Sequence, residues 1–511
     1  MRSSLLTFIP FAAVTAAVAF ACGGSSNGSG FGNDGGSGSS SGTSSGSSGS
    51  SSGTGSSSGG CLTCGDGALQ DGPGPCSNLQ CKGATCTTGP TSITGTVYDP
   101  AGNLPLYNVY VYIPNTTPQP ITAGSPTCTQ CEAPASGNPV IGASTDANGK
   151  FTIQKGPSDP WDVPVGSNIP LVIQVGKWRK QLVIPQVQGC AANDLDTVFN
   201  SGSGTARQLR LPAKSSEGDM PLMAFTSGCD PAECFLRHLG IDDSEFVPPT
   251  SPTGHVHFYT SWDGPTGGQA ASSVSGGNQP SDTYNWWSSS TNLLKYDIIF
   301  NACECVPNDR GATAYGAMHG YLNSGGRLFT THFYYNWFAS PTGPADFNGV
   351  AAWNPGGATS GANYYVDTSF PKGQAYGQWL VANGVATGSG ANTQIALTDT
   401  RNDIDQSGPP AYAGSTRWIY DANSAGGNPY GSEYISFNTP VGQPVTSQCG
   451  RAVFSDVHLS GTSNDSTFPS ECSGQSSSYE INEKALEFLF FDLSSCVQND
   501  TQPPPPPPPV Q

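Results

Sequence analysis

Two carboxylates and two imidazoles fall where the sequence pattern ends strands or opens helices: Asp230, Glu304, His332 and His458, with Asp456 nearby. Such a set serves two chemistries. It can ligate a divalent metal, or it can work as an acid–base pair. The alternative is that each residue caps a helix or satisfies a local loop hydrogen bond. His255 and His257 share one side of a strand, a spacing that can chelate, although a half-buried histidine pair is the preferred reading. Cys303-Glu304-Cys305 can present a reactive thiol, but in an oxidising compartment a bridge is preferred. Tyr334, Tyr335, Trp337 and Phe338 follow His332 closely, as a pocket wall or as core. No Gly-rich phosphate cradle has strand–helix flanks, so no nucleotide cofactor is strongly implied, and the cofactor stays open.

The elements that must position these residues begin at Met220. Apolar runs at 221–225, 255–259, 296–300, 327–332 and 452–458 read as strands. Helix-like stretches lie at 232–239, 312–322, 373–382 and 481–493. Pro231 suits the first turn of the first helix, with Asp230 as its cap. Alternating strands and helices imply a three-layer α/β domain with a largely parallel sheet. Ligands of open α/β sheets sit beyond the carboxyl ends of the strands, and this rule groups Asp230, Glu304, His332 and His458.

Residues 91–212 have period two instead. Ile93, Gly95 and Val97 alternate with Thr94, Thr96 and Tyr98; Val109, Val111 and Ile113 alternate with Tyr110 and Tyr112. Short strands with Gly/Asn/Asp turns argue an antiparallel β-sandwich. The opening ITGTVYDPAGN and the hairpin STDANGKFTI resemble the carboxypeptidase-regulatory-like, transthyretin-like sandwich. That resemblance implies a non-catalytic spacer, stabiliser or carbohydrate- or protein-binding unit. Trp161 and Trp178 can form a sugar platform, with core or inter-domain packing preferred.

The run LLKYDIIFNACEC, AYGAMHGYLNSGGRLFTTHFYYNWF, GRAVFSDVHL and INEKALEFLFFDL resembles the class I glutamine-amidotransferase-like fold, in its trehalose-utilisation-like branch. The resemblance implies sugar-related ligands. The amidotransferase elbow needs Gly-x-Cys-x-Gly, whereas this chain has Leu328-Phe329-Thr330-Thr331-His332-Phe333. Glutaminase chemistry is therefore not expected.

Location is written at the start of the chain. A basic tip, a short apolar run and Ala19-Phe20-Ala21-Cys22 read as a cleaved signal with a lipidated cysteine. A Gly/Ser tract to residue 60 follows as a flexible tether. The expectation is a bacterial envelope lipoprotein on the outer membrane, held to the membrane by its lipid; the alternative is a secreted protein with an incidental Cys22. Of 511 residues only 11% are charged, and there are 66 glycines and 43 prolines, which favours loop-rich, β-containing structure. A net charge of −18 argues against a nucleic-acid partner. Sixteen cysteines suit disulfides, although Cys61-x-x-Cys64 can also open a zinc site.

The expected layout is a signal at 1–21, lipidated Cys22 and tether at 22–60, a Cys-rich stalk at 61–90, a sandwich at 91–212, an α/β domain at 213–498 and a Pro-rich disordered tail at 499–511. The leading functional expectation is a non-catalytic surface protein that binds carbohydrate or an envelope protein. The alternative is a hydrolase or sugar-acting enzyme working at the carboxyl end of the α/β sheet.

Overall fold

A computed structural model describes residues 75–128, 135–228, 230, 232–260, 281–282, 286–304, 306–356, 358–359, 364–421, 431–459, 468–473 and 477–504. The expected signal, Cys22, the tether, Cys61 and Cys64 lie outside the described residues. No described helix is long and apolar enough to cross a membrane.

Period-two patterning shapes the first sheets. In Lys150–Gln154 the side chains of Phe151 and Ile153 are buried while their neighbours are exposed. That strand pairs antiparallel with Ser92–Thr96, which also takes Ala192–Asp194 in parallel. A second, wholly antiparallel sheet runs in the order Pro139–Ser144, Tyr110–Pro114, Gly166–Val175, Trp178–Val187. Gly149, at φ +70°, closes the turn before Lys150; a Cβ there would come 2.8 Å from the Val97 carbonyl oxygen.

The core does not stop near residue 212. Ile93, Phe151, Val111 and Ile173 belong to the same buried cluster as Phe225, Phe300 and Phe490. Trp178 is fully buried and meets Phe491 edge-on at 6.1 Å, so it is packing and not a sugar platform. Tyr107 stacks on Phe488 at 5.2 Å, and Trp379 Nε1 donates to the Pro105 carbonyl at 2.6 Å. The Cys128–Cys449 disulfide ties the two stretches together covalently. Cys76–Cys81, Cys86–Cys190 and Cys234–Cys472 are also bridged.

Among the described residues, a 12-stranded sheet follows. One half is parallel: Ser281–Asp282, Val256–Thr260, Met223–Ser227, Ile298–Asn301, Arg327–Thr331 and Gly450–Ser455. Met223–Ser227 and Arg327–Thr331 are buried at every position, as strands covered on both faces must be. The other half continues antiparallel through Gly431–Thr439, Thr416–Asp421, Tyr364–Val366, Gln394–Ile395 and Ala386–Thr387. The sheet is thus of mixed orientation, against the largely parallel one expected. The connections from Asp421 to Gly431 and from Thr439 to Gly450 are too short for a crossover, which needs about a dozen residues.

Helices Gly311–Asn323, Pro371–Ala382 and Ser477–Ser494 accompany this sheet. The expected helix at 232–239 forms at Glu233–His238 with Ala232 at its N-cap, so Asp230 is not the cap. The tail expected to be disordered from residue 499 stays packed further. Asp500 is buried, and its carboxylate binds Lys372 and Arg451.

Candidate functional site

Three neighbouring parallel strands, Ile298–Asn301, Arg327–Thr331 and Gly450–Ser455, run in the same direction and release their chains at one edge. Just beyond their carboxyl ends stand Cys303, His332 and His458. Cys303 Sγ lies 3.3 Å from Nδ1 of His332. The rings of His332 and His458 have centroids 3.9 Å apart. The sulfur and one nitrogen from each ring all fall within 4.8 Å of one another, a set that can hold a metal ion. Cys303 and His332 are buried, while the His458 side chain keeps 22% exposure and opens the cluster to one side.

His332 takes an unusual backbone conformation to be there. Its φ is +54°, left-handed space that a non-glycine residue enters at a cost. It is the turn residue between the Arg327–Thr331 strand and the short helix His332–Tyr335.

His458 is held from several sides. Its backbone N–H donates to the Asp399 carbonyl at 3.1 Å, and its Nδ1 meets Asp399 Oδ2 at 3.1 Å. A bridge between Thr400 and Val457 aligns the two segments. The next N–H, of Leu459, donates to buried Asp230 Oδ2 at 2.8 Å, and Asn482 Nδ2 donates to the His458 carbonyl at 2.7 Å. With Nδ1 facing a carboxylate, the ring turns Nε2 away from it, and Nε2 is buried without a hydrogen-bond partner.

The two imidazoles are driven apart electrostatically. Burial opposes a charge on His458, but the Asp399 hydrogen bond and the Cys303 sulfur outweigh it and raise the ring to about 11. Burial, then the charges of His458 and Arg401, pushes His332 well below the usual imidazole range. The two rings are thus pushed in opposite directions, His458 up and His332 down.

Of the four residues expected here, His332 and His458 converge. Asp230 acts one step away, through the Leu459 backbone. Glu304 does not join them: it forms a buried ion pair with Arg310. Arg310 in turn lies over the rings of Tyr334 and Trp337, at 4.5 and 4.8 Å. Burial raises the Glu304 carboxyl to about 7, and Arg310 offsets this only in part. Asp456 is turned elsewhere, accepting from the Asp403 N–H at 2.6 Å. Desolvation, reinforced by Asp403 and Glu433, lifts it well above the usual carboxylate range.

Other expectations fare unequally, and the preferred non-chelating reading of His255 and His257 holds. Cys303 is a buried free thiol, not half of a bridge; Cys305 lies outside the described residues. His255 and His257 do not chelate, because His255 Nδ1 pairs with Glu245 at 2.9 Å and His257 Nδ1 meets the Tyr296 hydroxyl at 2.9 Å. Tyr334, Tyr335, Trp337 and Phe338 are all buried core. Cys303 and Asp399 were not among the expected site residues. The sequence signal available for Cys303 is its place just after the apolar run 296–300, which reads as a strand end.

No family model matches this chain, and no curated protein matches it. Solved structures give distant likenesses. One is a crystal structure described as that of a ThuA-like protein from Bacteroides uniformis, with a TM-score of 0.23 at 11% identity over 46% of this chain and 80% of that one. Another is a cytoplasmic protein from Salmonella typhimurium, with a TM-score of 0.26 at 9% identity over 54% of this chain and all of that one. At these scores neither likeness carries an argument about what the chain does.

Proposed function

We propose that this chain is an envelope lipoprotein, anchored through acylated Cys22, whose α/β domain is a hydrolase. The observation that carries the enzyme reading is the convergence of Cys303, His332 and His458 within 4.8 Å at the carboxyl ends of three adjacent strands. A surface protein without catalysis has no need to bury a free thiol against two imidazoles. Nor does it need to hold one of them with a carboxylate, as Asp399 holds His458. This arrangement favours the enzyme over the non-catalytic alternative. In it His458, oriented by Asp399, handles a proton, and neutral His332 stands beside Cys303 as its counterpart. The stretch 91–212 serves as a stabilising sandwich that shares its core with the enzyme. The anchor rests on the signal-and-cysteine layout of the first 60 residues.

A panel of chromogenic esters, amides, glycosides and phosphoesters tests this. Turnover of one class, lost in both His458→Ala and Cys303→Ala while the disulfide-bonded fold persists, is the expected result. A chain that turns over none of them, or variants as active as the parent, would overturn it.

A further inference from the structure

We propose that Cys303 Sγ, His332 Nδ1 and His458 Nε2 form a binding site for one soft divalent cation of the zinc type, an assignment that rests on reading this cluster as the working centre. The argument starts from donor identity. One sulfur and two imidazole nitrogens suit zinc, cobalt or copper and are poor ligands for calcium or magnesium, which take oxygen. Spacing agrees. Metal–nitrogen bonds of about 2.0–2.1 Å and metal–sulfur bonds of about 2.3 Å put tetrahedral donors roughly 3.3–3.6 Å apart. Here Cys303 Sγ and His332 Nδ1 are 3.3 Å apart and all three donors lie within 4.8 Å, so small side-chain rotations complete the set.

The surroundings fit as well. A metal-bound histidine usually hands its other nitrogen to a carboxylate, which fixes the ring. Asp399 does this for His458 at 3.1 Å, and leaves Nε2 buried without a partner. Arg401, whose charge bears on His332, is itself neutralised by Asp403 at 2.9 Å. Among the described residues the other cysteines are bridged, while Cys303 stays a thiol in a chain rich in disulfides. On binding, the Cys303 thiol proton and any proton on His458 Nε2 both leave to solvent, and the thiolate and the freed Nε2 become ligands.

The test uses the full chain, purified without a histidine tag and dialysed against micromolar zinc, with metal counted by mass spectrometry. One retained ion per chain is expected, with binding abolished in Cys303→Ser, His332→Ala and His458→Ala and weakened about 10–100-fold in Asp399→Asn. His255→Ala, in a histidine bound to Glu245, should keep the ion. Cobalt in the unmutated chain should show a near-ultraviolet thiolate charge-transfer band, which needs no variant to fold. Retention unchanged in all three ligand variants would place the ion at other cysteines and overturn the assignment. So would a folded parent chain that retains no ion. Hydrolysis without an ion would sink the metal site and leave the enzyme reading standing; an ion without hydrolysis would do the reverse.

Discussion

His332 Nδ1 sits 3.3 Å from Cys303 Sγ on a backbone that turns through φ +54° at the end of the Arg327–Thr331 strand. The aim of the imidazole and the strain of the turn are therefore one feature. Left-handed space is entered most readily by glycine and asparagine, and β-branched residues enter it poorly.

His332→Asn should fold about as stably as the parent while losing the imidazole. His332→Val should be less stable than His332→Asn by about 1–3 kcal/mol. Urea unfolding of the two variants side by side reads the difference. Equal stabilities would mean that the turn is not strained.

Arg310 and Glu304 make a second test, because both are almost wholly buried and each is the other's charge partner. Arg310→Met strands a carboxylate in the core and should cost about 3–5 kcal/mol. Adding Glu304→Leu should recover much of that loss, since no charge then remains to be solvated. A double variant no better than the single one would show that Arg310 acts through Tyr334 and Trp337 alone.

The strands that frame this site could be read from sequence because each is a short apolar run next to a Gly-rich turn or a helix. His332 and His458 were legible for the same reason: each follows such a run. Asp399 was not, because it stands in a loop 59 residues before His458, and backbone pairing across 399–403 and 456–458 brings the two together. Cys303 was visible but misjudged. The cysteine-rich composition argued for bridging, and nothing local says that the His332 strand lies beside its own. The antiparallel half of the sheet escaped notice because Gly431–Thr439 is buried along almost its whole length and shows no alternation, while Tyr364–Val366 and Gln394–Ile395 are too short for periodicity to register. Glu304 was placed correctly at a strand end, yet Arg310, six residues on, claims it.

Asp99 and Glu487 give a pH dependence. Asp99 lies in the turn after the Ser92–Thr96 strand, and Glu487 is on the closing helix; both are buried and their carboxyls interact. Burial raises Asp99 to about 7, against the pull of the Asn103, Leu104 and Gly102 N–H groups. Burial, reinforced by Asp99, raises Glu487 well above its ordinary range; Glu483 adds to this and Lys484 opposes it. Folded pKa values above the unfolded ones mean that the native state holds protons the unfolded chain has released. The stabilisation is complete below the unfolded values, near 4, and is lost as pH rises through about 7. Glu487→Gln should flatten that decline and raise stability above pH 7 by on the order of 1 kcal/mol. Unfolding free energies from pH 5 to pH 8.5 would show it, and a slope equal to the parent's would refute it.

The disulfides should contribute unequally. Cys128–Cys449 closes a separation of 321 residues, whereas Cys76–Cys81 closes one of 5. Cross-links restrict the unfolded chain more as the loop they close grows, and the chain-entropy relation puts the difference between these two at about 3–4 kcal/mol. Location reinforces the ranking. Cys76–Cys81 staples an exposed 3-10 turn to itself, whereas Cys128–Cys449 joins the insert after Tyr110–Pro114 to the loop entering Gly450–Ser455. That strand carries the chain to His458. Replacing Cys128 and Cys449 by serine should therefore lower the melting temperature markedly, while the same change at Cys76 and Cys81 should barely move it. Calorimetry on the two double variants decides the matter. If the short bridge proved the costlier to lose, the long one would be an addition to a fold already held by its core, and stability would come from Trp178 against Phe491 and Tyr107 on Phe488 instead.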